Sequence, residues 1–225
     1  MTLRWLALRR WLAGKREFEA PFAGLIHEPL PAPGTPFADV EFVSLDIETT
    51  GLDAATADML SVGWVVVRNG KVDLGTAESH IVRPEGEVGS SASVHGLTDT
   101  MVESGHEWSL VLSKIVAALT GRVLLVHHAG LDKALLDRLC RQRFNTPLLV
   151  PVVDTLALEH RRRRRRHHVD EKQSLRLSDL RDAYNLPRYS AHDCLVDAIA
   201  TAELLLAMVA RNDGASGTRL RDLCA

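Results

Sequence analysis

Apolar and polar positions alternate through Val43-Ser44-Leu45-Asp46-Ile47-Glu48, so Val43, Leu45 and Ile47 leave an extended segment on one side. Ser44, Asp46 and Glu48 leave it on the other. Gly51 ends this strand sharply. A second strand is predicted over Met59 to Arg68, and Asn69-Gly70 turns it into a third running to Val82. Pro84 to Ser93 reads as a loop, and Thr98 to Glu103 and Glu107 to Leu119 as helices, the longer one closed by Gly121. The short apolar runs Arg122 to His127 and Val150 to Thr155 are predicted as strands. Between them Leu131, Leu135, Leu136 and Leu139 give Ala129 to Arg143 a helical period. Leu175 to Leu186 and Asp193 to Ala210 close the series as helices divided at Pro187, with Ser190 and Asp193 spaced as a capping box. A hairpin-rich opening followed by alternating helices and strands predicts an α/β domain with a mixed five-stranded sheet flanked by helices.

The ends have a different texture. Thr2 to Glu19 is helical in pattern, basic and rich in Trp and Leu. The proline-rich stretch His27 to Pro36 can form neither helix nor central strand. Three parts are therefore expected: residues 1–36 as a helix and linker, 37–210 as the main domain, and 211–225 as a short tail. In 225 residues, 46% hydrophobic and 25% charged, there is room for one substantial core. A net charge of −2 gives no global sign of nucleic-acid binding, so any such surface must be local. Cys140, Cys194 and Cys224 are odd in number and without paired spacing, which argues against a disulfide scaffold or a zinc site. Arg4, Arg9 and Arg10 interrupt the apolar N-terminus, unlike a secretory signal, and no run is long enough to span a bilayer. A cytoplasmic protein with no membrane partner is expected.

Asp46 and Glu48 on one face of an apolar strand repel each other and resist desolvation, a conflict that a divalent cation resolves. More acids stand where such a site needs them. Asp132 follows the strand Arg122 to His127, and Asp197 lies in the last helix, whose start carries His192. Strand ends and a crossing helix can bring these groups to one point.

Three motifs, in order, carry a resemblance. Asp46-Ile47-Glu48-Thr49-Thr50-Gly51-Leu52 resembles D-x-E-T-T-G-L, His127-His128-Ala129-Gly130-Leu131-Asp132 resembles H-N-A-x-F-D, and His192-Asp193-Cys194-Leu195-Val196-Asp197 resembles H-x-A-x-x-D. Together with His95-Gly96-Leu97-Thr98 and Asp154-Thr155-Leu156, they make the chain similar to the DEDDh branch of the DnaQ-like 3'-5' exonucleases, from about Val40 to Met208. That branch includes the proofreading epsilon subunit of bacterial DNA polymerase III. The resemblance implies a ribonuclease H-like fold and removal of nucleotides one at a time from a 3' end. It also implies two Mg²⁺ or Mn²⁺ ions, which in such sites sit about 3.5–4 Å apart. Hard oxygen-only ligands favour these metals over zinc. Asp46, Glu48 and Asp197 would hold the ions, Asp132 directly or through water. His192, placed in the first turn of the last helix, would be the general base, a task imidazole suits near neutral pH. Thr49, Thr50, Leu52, His95 and Leu131 would contact the terminal nucleotide, with Leu52 wedged against the last base. Alternatives are a strand-end turn for Thr49 to Gly51 and a bracing role for His95. His127 is expected to pack at its strand end. Leu131, His128 and Cys194 depart from the family's Phe, Asn and Ala, and none of these changes removes a ligand or the base.

Arg161, Arg162, Arg163, Arg164, Arg165 and Arg166 form the most lopsided charge run in the chain. They are expected in a loop by the site, as a mobile arm gripping substrate phosphates, the alternative being a solvated loop whose charge is incidental. Trp5, Leu6, Leu8, Trp11 and Leu12 must be covered by the domain or by a partner, through which self-association is an option. The short C-terminal tail makes attachment to a polymerase by that end doubtful. DNA, single-stranded or frayed, is the expected substrate of a proofreading or repair type of enzyme. A 3'-5' exoribonuclease is the alternative, since the sugar preference depends on how the pocket treats a 2'-hydroxyl. An inactive nucleic-acid-binding module ranks below both, because all four acids and the histidine are present.

Overall fold

The computed structural model describes residues 3–84, 104–165, 174–190, 192–212 and 217–224. Among them six strands form one mixed sheet, in the order β4-β3-β2-β1-β5-β6. β1 (Phe42–Thr49), β2 (Met59–Arg68) and β3 (Lys71–Arg83) are an antiparallel meander. Asn69 and Gly70, with φ of 53° and 66°, make the tight β2–β3 turn, the geometry that a two-residue hairpin with right-handed strand twist requires. β5 (Val123–Val126) and β6 (Val152–Asp154) add on in parallel beyond β1. β4 (His106–Glu107) pairs with Val82 and Arg83 at the far edge. This is the mixed sheet of a ribonuclease H-like fold.

Because neighbouring side chains alternate, the sheet has two apolar faces. Val43, Leu45, Ile47, Val62, Trp64, Leu124 and Val126 meet α3 (Trp108–Leu119) and α4 (Asp132–Phe144). Phe42, Val65, Val67, Val123 and Leu125 meet α7 (Cys194–Arg211), which packs across β1 and β2. Between these lie α5 (Thr155–Arg165) and α6 (Leu177–Ala183), whose Leu180 packs on Leu204 and Met208 of α7.

Several expectations need correction. The sheet has six strands rather than five, since His106 and Glu107 extend an edge before the helix that was expected to start at Glu107. Two residues carry no periodicity to read. Helix α5 replaces the loop expected after Thr155, because its inward face is built from Thr155, Leu158 and the buried Glu159 rather than from an apolar stripe. Asp193, not Ser190, caps α7, its carboxylate accepting from the Leu195 and Val196 amides at 3.0 and 3.1 Å. The segments Pro84 to Ser93 and Thr98 to Glu103 lie largely or wholly outside the described residues.

The termini pack against the sheet domain. Helix α1 (Leu3–Ala13) is shorter than expected and is followed by an unforeseen α2 (Phe22–His27), whose Phe22 ring stacks on Phe144. Leu6 is buried in the core, and the buried Arg10 donates to the carbonyls of Leu149, Ile26 and Glu28 at 2.7 to 2.9 Å. Trp5, Leu8, Trp11 and Leu12 remain exposed. At the other end, α8 (Leu220–Leu223) packs its two leucines with Phe37 and Val40. No described helix is long and apolar enough to cross a membrane.

Candidate active site

Asp46 and Glu48 leave β1 toward α7, as their register with Ser44 requires. The Ser44 hydroxyl donates to the Ala198 carbonyl at 2.6 Å, fastening strand to helix at the residue next to Asp197. The close approach depends on a glycine. Gly63 is the cross-strand partner of Asp46, and a Cβ built on it would lie 2.5 Å from Leu195 Cα and 2.6 Å from the Cys194 carbonyl carbon. Sequence reasoning assigned Gly63 no role. Its only signal was a glycine inside an apolar strand, which often marks a close backbone approach. A register shift between Glu48 and Thr49 then ends regular pairing beside the acids. The result is that oxygens of Asp46, Glu48 and Asp197 lie within 4.8 Å of one another.

Asp132, the first residue of α4, is buried beside this trio but is not one of its three mutually close groups. It accepts a hydrogen bond from the Ile47 amide, which ties it to β1. Asp154, quoted in the sequence only as a motif match, turns out to organise the second motif. Its carboxylate accepts from the His128 and Ala129 amides at 3.1 and 2.9 Å, and from those of Leu156 and Ala157 at 2.9 and 3.2 Å. One side chain thus caps α5 and holds the backbone leading to Asp132. His127 packs as expected. One ring nitrogen faces Thr155 Oγ1 at 2.7 Å, and Nε2 donates to the Leu175 carbonyl at 2.9 Å, so Nδ1 is the acceptor. Burial lowers its pKa and keeps the ring neutral.

His192 precedes α7 rather than lying in its first turn. Its backbone is left-handed, with φ of 69°, and its amide donates to Asp197 Oδ2 at 3.0 Å. The third motif therefore contacts itself through its first and last residues. His192 and Asp197 line a cleft of about 1140 Å³ together with Leu52, His128, Leu177 and Tyr189. Leu52 stands 91% exposed at its edge. Thr49 and Thr50 serve the turn: the first donates to the Gly51 carbonyl at 2.6 Å, and the second accepts from the Asp58 amide at 2.9 Å. Leu131 is half-buried at the start of α4. His95 and Arg166 lie outside the described residues.

Among the described residues the arginine run does not form a loop. Arg161 to Arg165 complete α5, and three of them face inward. Arg161 donates to the carbonyls of Leu223 and Cys224, Arg162 pairs with Glu159 and Tyr184, and Arg163 pairs with Glu159. Arg164 and Arg165 are exposed. A run of one residue type hid two environments, because the helical period turns part of it toward Glu159.

The electrostatics suit a divalent cation. Burial, followed by the Asp132, Glu48 and Asp197 carboxylates, pushes the Asp46 carboxyl well above its ordinary range. Burial, then Asp154 and Glu48, raises Asp132 to about 8. Burial also raises Asp197. Acids crowded in this way hold protons unless a positive charge replaces them, and a donor set made only of carboxylate oxygens matches a hard divalent ion. Asp46, Glu48 and Asp197 are the residues that would hold it.

Comparison with known proteins agrees with this geometry. The RNase_T family model, described as "Exonuclease", matches residues 43–205. A PolC-type DNA polymerase III of Thermotoga maritima is 27% identical over 77% of this chain, which spans only 12% of that protein's length. The DNA polymerase III subunit epsilon of Treponema pallidum is 28% identical over 79% of this chain and 80% of its own. Among solved structures, E. coli Exonuclease I in complex with an oligonucleotide superposes on 77% of this chain and 41% of its own, with a TM-score of 0.63 at 14% identity. The acid trio, the His192 backbone and the family match over most of the chain lead to one placement: the protein belongs to the exonuclease family, in its DnaQ-like DEDDh group.

Proposed function

We propose that the protein is a metal-dependent 3'-5' exonuclease acting on the 3' end of single-stranded or frayed DNA, of the proofreading or repair type. The observation that carries the proposal is the convergence of Asp46, Glu48 and Asp197 within 4.8 Å, with Asp197 on a cleft that His192 also lines. A pair of Mg²⁺ or Mn²⁺ ions held there would supply Lewis-acid polarisation of the scissile phosphate and offset its growing charge. The chain's own groups do the rest. Asp132, fixed by the Ile47 amide, adds negative charge behind the trio and raises its demand for cations. His192, on the rim, accepts the proton of the attacking water and releases it to solvent. Leu52, exposed on the cleft edge, abuts the terminal base and unstacks it from the next. The hydroxyls of Thr49 and Thr50 shape the turn that carries Leu52, a positioning role rather than direct contact.

The test is a 5'-labelled single strand of DNA, and a matched RNA, incubated with Mg²⁺, Mn²⁺ or chelator. A ladder shortening from the 3' end only when metal is present is expected, faster on DNA. Equal or faster RNA trimming would move the assignment to an exoribonuclease. No metal-dependent product on either strand would defeat it.

A further inference from the structure

Pro187 to Ser190 and His192 have no regular secondary structure, yet they are tied to α7 at three successive turns of that helix. The upper tie is the His192 amide on Asp197. The middle tie is Arg181 of α6, which donates to the Pro187 carbonyl through Nη2 at 2.8 Å and to the Ala200 carbonyl of α7 through Nη1 at 2.8 Å. The lower tie is Glu203, which accepts from Arg181 at 2.8 Å and from the Tyr189 hydroxyl at 3.0 Å. Residues 197, 200 and 203 are three apart, so they line one side of the helix. Arg181 is 3% exposed, its guanidinium lies 4.4 Å from the Tyr189 ring centroid, and its own carbonyl accepts from the Leu186 amide.

His192 needs such support. A non-glycine residue in the left-handed region is strained and persists only where its surroundings over-determine it. Asp193 begins the helix directly after it, so the backbone has no slack on that side. On the other side, the tethers at Pro187 and Tyr189, together with the Arg188 pair to Asp182 of α6, fix where the strap starts. From this geometry we infer that Arg181, through Pro187, Ala200 and Glu203, is a positioning residue that holds His192 against the acid trio. Lysine cannot replace it, because one ammonium cannot reach the two carbonyls and the carboxylate with a planar fork.

The inference rests on the general-base role proposed above, so its test separates the two. In wild-type protein, Arg181→Lys lowers kcat by about 10²-fold, the scale of a misplacement near 1 Å, while KM stays within about twofold. In a His192→Ala background the same change costs nothing further, because the two act through one group. Equal losses in both backgrounds would assign Arg181 a purely structural role and overturn the inference. So would unchanged kcat in a folded Arg181→Lys protein. Should that variant fail to fold, Glu203→Gln with Tyr189→Phe removes the lower tie alone, and the same non-additivity with His192→Ala is expected. Hydrogen exchange at residues 188–192 reads the strap without any activity. Faster exchange there in Arg181→Lys is expected, and unchanged exchange contradicts the inference even if the wild type has no nuclease activity.

Discussion

Replacing Gly63 with alanine tests how the site is assembled. A Cβ at this position would sit 2.5 Å from Leu195 Cα, whereas ordinary contact begins at 3.4 Å, so the start of α7 must retreat by about 0.9 Å. The neighbours are backbone atoms, so no side-chain rotation can relieve the overlap. Overpacking of this kind costs about 1–3 kcal/mol, which for a chain of this size lowers Tm by roughly 2–12 °C. The effect on chemistry is larger than on stability. Asp197 lies two residues from Leu195, and Gly63 is paired with Asp46, so the retreat moves Asp197 away from Asp46 and Glu48. A misplacement near 1 Å costs about 10²-fold in rate. The assay is single-turnover cleavage of a 5'-labelled strand at saturating Mn²⁺, run well below Tm, with Gly34→Ala, where nothing lies within 4 Å, as the control. A Gly63→Ala protein with wild-type rate and Tm would refute the claim that this contact sets the site.

Three further outcomes follow from the same structure. In chelator, Tm should fall as pH rises from about 4 toward 8. Folded Asp46 and Asp132 keep protons that the unfolded chain has lost in that window, with Asp132 raised to about 8, and stability from a raised pKa fades as pH climbs through it. Adding Mn²⁺ should therefore raise Tm more at pH 8 than at pH 5, and a metal shift independent of pH in calorimetry would contradict this. Arg161→Ala should destabilise by about 1–2 kcal/mol through the loss of its two carbonyl partners, while Arg164→Ala with Arg165→Ala should leave Tm unchanged. If both exposed arginines touch phosphates, that pair should flatten the log–log salt slope for a single strand by about 1.4, and an unchanged slope removes them from binding. Leu52→Ala should change stability by less than about 0.5 kcal/mol yet raise KM on single strands, and an unaltered KM would exclude the wedge.

The convergence of the acid trio was legible because strand period, helix position and motif order all agree on Asp46, Glu48 and Asp197. The hairpin at Asn69-Gly70 was equally plain, since its turn chemistry is local. What escaped depends on contacts between distant segments. Gly63 matters through Leu195, Asp154 through the amides of His128 and Ala129, and Arg181 through Pro187 and Glu203. The split of the arginine run escaped for a related reason. Glu159 is the buried acid that turns Arg162 and Arg163 inward, and a polar inward face leaves no apolar stripe to read.

The guanidinium of Arg10 has a practical consequence for anyone trimming this protein to the stretch that the family model matches. That stretch omits both α1 and α2, and removing them would leave the Leu149 carbonyl without its donor and an empty seat where Leu6 and Phe22 had been. Leu149 leads into β6, whose last residue is Asp154. A minimal version lacking these helices would thus loosen the strand whose end organises the second motif, and its nuclease would weaken from behind, without any active-site residue having been touched.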